Sequence, residues 1–212
     1  MELLEFILII CVIVYLGIFS LHIIWKCTKI EPQLKRYHYG LAFFAIMFML
    51  ARIFFLINDL VYETTLNLAD KQGLYYVLGS ISSGFAVFGI MVVVEKYVYK
   101  KLHFIPSLIV LISTVLTIIL PSINGENMIT IYSTVSSGMA IIIPILYIIV
   151  GYQVSGHTRK KSLILATAII ILFLGNLFNM GLLKDAFPIF KLISPLTILL
   201  GFVIFHYGLL FY

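Results

Sequence analysis

Charge is scarce in this sequence. Only 11% of its 212 residues are Asp, Glu, Lys or Arg, while 62% are hydrophobic and the mean hydropathy is +1.14. A soluble domain carries about 25% charged and 45–50% apolar residues, so water cannot be the main solvent of this chain. Cysteine is scarce too: Cys11 and Cys27 alone do not make a disulfide scaffold. Cys27, beside Lys26 and Lys29, offers a palmitoylation site, with an inert packed thiol as the default reading. No motif for phosphate binding, zinc proteolysis or a nucleophile elbow occurs. A rhomboid-like Ser/His dyad needs both groups at one depth, whereas the intramembrane serines and the histidines fall towards opposite ends of the runs. A retinal protein needs a lysine midway along its seventh helix; here that stretch is Leu199-Leu200-Gly201-Phe202-Val203, with Lys191 at its edge. A proton relay lacks intermediate carboxylates, because Asp59 and Glu95 lie near opposite edges. These absences argue against an enzyme and supply no cofactor or metal site.

What is there is apolar sequence in long runs. Spans of about 20 residues suit a bilayer core, and seven are expected at 3–25, 39–61, 74–95, 105–122, 129–151, 163–183 and 192–211. The first opens with Glu2 and Glu5 instead of a basic region and is too long for a cleaved signal, so it is expected to remain as a helix. Pro106 and Pro121 clip the fourth run, and Pro144 predicts a kink in the fifth. The expected fold is an all-α seven-transmembrane helix bundle forming a single domain over 1–212, with short connections and no soluble domain.

Orientation follows from the basic residues. Lys26, Lys29, Lys35, Arg36, Lys96, Lys100, Lys101, Arg159, Lys160 and Lys161 fall on one side; Lys71, Lys184 and Lys191 fall on the other, with most of the acidic residues. The positive-inside rule then places the N-terminus outside and the C-terminus in the cytoplasm of a plasma membrane. It also explains the net charge of +5 without nucleic acid. This topology is shared with seven-helix receptors and microbial rhodopsins, at the level of fold alone.

The run Leu41 to Val61 carries Arg52 well inside it and Asn58-Asp59 near its end. A charged side chain at mid-helix costs roughly 2.5–3.5 kcal/mol on insertion scales, so it is kept where it faces protein or a polar cavity. Arg52 and Asp59 share a face about two turns, or ~10 Å, apart. With the orientation above, polar groups of five helices fall in one outer layer: Arg52, Asn58 and Asp59; Tyr75, Tyr76, Ser80, Ser82 and Ser83; Tyr132, Ser133, Ser136 and Ser137; Asn176 and Asn179; Ser194 and Thr197 around Pro195. Two accounts compete: these groups satisfy one another and lock the helices, or they line a pocket in which Arg52 anchors an anionic or carbonyl-bearing small molecule. The candidate ligand-binding set is Arg52, Asn58, Asp59, Ser80, Ser83, Ser136, Ser137, Asn176 and Asn179.

An internal echo joins two spans. Ser80-Ile81-Ser82-Ser83-Gly84-Phe85-Ala86 recurs as Thr134-Val135-Ser136-Ser137-Gly138-Met139-Ala140. Ser80 to Gly84 and Thr134 to Gly138 are small-xxx-small pairs, which predicts close helix packing, with a hydroxyl-lined cavity as the compatible alternative. His22, His38, His103, His157 and His206 fall at or near the inner face without ligand spacing, so interfacial histidines are the default. Glu95-Lys96-Tyr97 closes the third span; Glu95 is expected to pair with Lys35 or Arg36, and the triplet loosely resembles the acidic-basic-Tyr triplet of eukaryotic seven-helix receptors.

The stretch PILYIIVGYQVSGHTRKKSLILATAIIILFLG, Pro144 to Gly175, is a Pro-bearing helix, a basic inner turn, and a second helix ending in Gly. With Ser194-Pro195 opening the last span, it resembles the seven-helix N-terminal sensor regions of some microbial histidine kinases and standalone seven-helix membrane proteins of archaea. The resemblance is one of layout and carries over no functional residue. It implies sensing through the membrane, and since no kinase domain follows Tyr212, the output would need a separate partner. The leading expectation is therefore a receptor-like membrane sensor in which ligand binding shifts helices five to seven about Pro144 and Pro195. A cytoplasmic partner would meet Lys35, Arg36, Lys100, Lys101, Arg159, Lys160 and Lys161. The alternatives are a small transporter or lipid-handling protein, or a structural subunit of a membrane complex.

Overall fold

The structure is a computed structural model that describes residues 3–29, 31–64, 73–120, 122–123, 126–179 and 187–210. Those residues are helical almost throughout: α1 (Leu3–Lys29), α2 (Pro32–Thr64), α3 (Leu74–Tyr97), α4 (Ile105–Ile119), α5 (Ile129–Ala140), α6 (Ile142–Gln153), α7 (Gly156–Phe178) and α8 (Phe190–Leu210). Helices are the natural solution here, because apolar solvent cannot satisfy backbone N–H and C=O groups and a helix pairs them internally. Six apolar rods are long enough to cross a membrane: α1, α2, α3, α5 with α6, α7 and α8. The fourth expected run, 105–122, yields the shorter α4, which ends at Ile119.

The fifth expected run is a rod broken at Ile141, where α5 gives way to α6. Pro144 lies three residues further on. It has no N–H to give the carbonyl of Ala140, and its ring crowds that carbonyl, so the break falls one turn before the proline. Two other helices start earlier than the apolar pattern suggests. α2 begins at Pro32, suited to a first helical turn because its missing N–H is not needed there. α7 begins at Gly156, in the left-handed region at φ 65°. Lys35, Arg36, Arg159, Lys160 and Lys161 therefore stand on helical turns and not in loops. Two short strands, β1 (Ser122–Ile123) and β2 (Glu126–Asn127), form an antiparallel hairpin before α5.

The chain divides into two compact units, one of Leu16–Met139 and the other of Glu2–Tyr15 with Ala140–Tyr212. In the first unit α2 and α3 run antiparallel, with Val93 against Gly40, Phe43 against Gly89 and Phe55 against Gly79. α4 returns along α3, with Thr114 against Gly84. The large fully buried side chains of this unit include Leu16, Phe19, Leu41, Met91 and Val94. In the second unit α7 packs on α6 and α8. Ser162 Oγ donates to the Tyr147 carbonyl at 2.6 Å, and Ser194 Oγ donates to the Gly175 carbonyl at 2.9 Å. Phe202, Phe205 and Leu165 fill its interior.

Candidate functional site

Arg52 is 9% exposed although it lies in an apolar span, Leu34–Val61. Two features of its own helix account for its retention. The guanidinium carbon sits 4.9 Å from the centre of the Phe48 ring, one turn away; such a cation–π contact contributes about 2 kcal/mol when water is excluded. Asp59, two turns in the other direction and half-buried, acts on the guanidinium through its charge.

The antiparallel register then identifies what stands opposite. Phe55 meets Gly79 and also Tyr76, whose ring centre is 5.7 Å from its own. Arg52 is three residues before Phe55, so it falls at the level of Ser80 to Ser83. Ser80 and Ser82 are buried, each 8% exposed, and Ser83 is half-buried. Neither the Ser80 nor the Ser82 hydroxyl is hydrogen-bonded within the described residues. The buried hydroxyls of α4 behave differently. Ser113 donates to Ile109, Thr114 to Val110 and Thr117 to Ser113, all at 2.8–3.0 Å to their own helix's carbonyls. Such back-bonding is the usual way for Ser and Thr to pass through an apolar span. The α3 serines opposite Arg52 retain their hydrogen-bonding capacity; those of α4 have used much of theirs.

The other expected site residues distribute as follows. Asn58 is half-buried, its Oδ1 3.7 Å from where a β-carbon on Gly73 would lie, at the start of α3. Ser136 is buried and Ser137 exposed on α5. Asn176 and Asn179 belong to the second unit, in or just after α7. The Asn176 side chain donates its Nδ2–H to the Leu172 carbonyl at 2.7 Å, which commits one amide proton to its own helix. Thus Arg52, Ser80 and Ser83 share a level of one helix pair, with Asn58 and Asp59 further along the same α2.

Two polar contacts escape a reading of the sequence. Glu95 was expected to pair with Lys35 or Arg36; instead its Oε1 accepts the backbone N–H of Ser107 at 3.3 Å. His206, expected at the interface, is hydrogen-bonded through Nδ1 to the Tyr15 hydroxyl at 3.0 Å. Tyr15 lies midway along α1, so this pair is inside the span. Nothing in the local pattern of either residue signals a contact between the first and last helices. Of the other histidines, the Nδ1 atoms of His38 and His103 lie 3.0 and 2.8 Å from the carbonyls of Leu34 and Lys101. Among the described residues no three His, Cys, Asp or Glu side chains gather as metal ligands would. No protein-family model, curated protein or solved structure matches this chain.

Proposed function

We propose that this chain is a receptor-like sensor of the plasma membrane, with its N-terminus outside and its C-terminus in the cytoplasm. The observation that carries the reading is Arg52, a buried guanidinium in an apolar span, level with serines whose hydroxyls take no hydrogen-bond partner among the described residues. A guanidinium beside hydroxyl donors suits a carboxylate or carbonyl oxygen, which accepts from both. On this reading the ligand is a small anionic or carbonyl-bearing molecule held between α2 and α3. Output passes to a separate cytoplasmic partner through the basic first turns of α2 and α7 and the Lys100–Lys101 turn. Arg36, Lys100, Lys101, Arg159 and Lys160 are exposed, which suits a docking surface.

A second reading is favoured by Phe48 and Asp59: Arg52 already has partners, so the layer could serve helix association alone, as in a structural subunit. A thermal-shift series separates the two. Purified full-length protein in nanodiscs is melted with a panel of small mono- and dicarboxylates, alongside Arg52→Gln. A ligand at a hundred times its Kd stabilises by about 2.7 kcal/mol, a rise of several degrees. The sensor reading expects at least one carboxylate to raise the wild-type Tm while leaving Arg52→Gln unmoved, with the variant's own Tm within a few degrees of wild type. If Arg52→Gln collapses and no carboxylate shifts the wild type, the layer is structural.

A further inference from the structure

A buried carboxylate at the far end of α3 from Arg52's level has half of its hydrogen-bonding capacity unused. Glu95 is 2% exposed, and its Oε2 is closed to solvent with no hydrogen-bond partner. Its Oε1 accepts the N–H of Ser107, the third residue of α4. A helix start leaves several N–H groups without intrahelical partners and carries partial positive charge, so a carboxylate is favoured there. The sequence explains why α4 draws its cap from another helix: Phe104 at the N-cap has no side-chain oxygen, and Pro106 has no N–H.

The approach to that cap is strained. His103 and Phe104 adopt φ 52° and 61°, two successive non-glycine residues in the left-handed region. A β-carbon makes this region unfavourable, and such strain persists only where neighbouring contacts hold it. Local hydrogen bonds contribute, from Ser107 Oγ and Leu108 N–H to the Phe104 carbonyl and between His103 Nδ1 and the Lys101 carbonyl. The Glu95–Ser107 hydrogen bond adds a tie from α3 to the first turn of α4.

We infer that Glu95 is a reversible proton-binding site, and that its proton occupancy sets how firmly the Lys100–Phe104 turn and the start of α4 are held against α3. A proton is the ligand that suits Oε2, because anything larger must first displace the side chains that close it off. The two forms of the carboxyl are opposed in what stabilises them. The anion is attracted by the α4 N-terminus but leaves a charged oxygen bare in an apolar interior; the neutral acid is easier to bury but loses that attraction. Protonation weakens the hold on Ser107 and lets the left-handed residues relax.

The groups able to compete for this role are few. α4 has no titratable side chain. The α2 end brings Lys35, Arg36, Tyr37 and His38 towards this level, as the edge-on contact of Tyr37 with Tyr97 shows, with ring centres 5.8 Å apart. The turn carries Tyr99, Lys100, Lys101 and His103, and α3 itself Lys96 and Tyr97. None of them donates to Oε2.

Hydrogen–deuterium exchange of the full chain in nanodiscs, corrected for intrinsic rates, tests this at neutral and acid pH over residues 98–108. The wild type is expected to exchange roughly tenfold or more faster at acid pH in this segment, and Glu95→Gln, which cannot gain the proton, to exchange at one corrected rate at both. An unchanged acid response in Glu95→Gln, or none in the wild type, overturns the inference. Because Glu95→Gln risks poor folding, His38→Asn and His103→Asn are run beside it. Both keep Glu95 and are expected to retain the acid response; its loss in either would assign the titrating group to a histidine and overturn the inference as well.

Discussion

Valine at Gly201 is expected to force α7 and α8 apart and to cost ~3 kcal/mol or more, at or beyond the top of the range for overpacking a closed interior. A β-carbon at Gly201 would lie 2.7 Å from Leu172 Cγ and 3.0 Å from the Leu172 backbone nitrogen. A side chain can rotate away from such an intruder, but a backbone nitrogen cannot move without its helix. The neighbouring turn of the contact is built alike, with the glycine on the other helix: a β-carbon at Gly175 would meet Ile198 N at 2.9 Å. Separating the helices would also break the bond from Ser194 Oγ to the Gly175 carbonyl, a net loss of about 1 kcal/mol. Unfolding in mixed SDS micelles measures the effect, with Leu200→Val as the control, since Leu200 is 53% exposed. Equal SDS midpoints for Gly201→Val and the control would mean that the two helices are not in such close contact.

The two copies of the small-residue echo are expected to respond in opposite directions. Gly84 in α3 faces Thr114, whose Cγ2 and Cβ would lie 2.9 and 3.1 Å from an added β-carbon. Gly84→Val is therefore expected to cost about 2–3 kcal/mol by overpacking the α3–α4 contact. Gly138, its counterpart in α5, has nothing among the described residues within 4 Å of the same position. Gly138→Ala is expected to be neutral or to stabilise by up to ~1 kcal/mol, the propensity gain of alanine over glycine in a helix. The same micelle titration reads both. A Gly138→Ala variant as damaged as Gly84→Val would show that α5 has a tightly packed neighbour on this face. Among the described residues, the glycine of one copy thus meets a neighbouring helix and that of the other does not, a difference the shared residues do not reveal.

The positions of the rods were legible because lipid leaves a chain little choice. Runs such as Leu74–Val94 must pair their own backbone groups, so an apolar stretch of sufficient length is read directly as a helix. The helix ends were less legible. Lys35, Arg36 and Arg159 to Lys161 are polar and were expected in connections, yet a helix continues past the apolar zone as long as its hydrogen bonds are made, and composition does not mark where they stop. Pro144 announced the break in the fifth rod because a missing N–H acts locally.

For the candidate site, Arg52 stood out in the sequence by its cost alone. That Ser80 to Ser83 are level with it depends on the α2–α3 register, which is set by where Phe43 and Phe55 find Gly89 and Gly79. Asn176 and Asn179 share a face by spacing, but spacing does not say that Asn176 donates to Leu172. The pairing of Glu95 with the start of α4 likewise needed the turn geometry at His103 and Phe104.

By itself the sequence determined the solvent, the helical class and the placement of a costly arginine, because each follows from the free energy of putting a residue type or a bare peptide group into an apolar medium. Only the tertiary structure decided which hydroxyls stay uncommitted at the level of Arg52, which glycines admit a neighbouring helix, and that Tyr15 meets His206. Those outcomes depend on register and approach between segments far apart in the chain, and hydrophobic periodicity is nearly blind to both when every face of a helix is apolar.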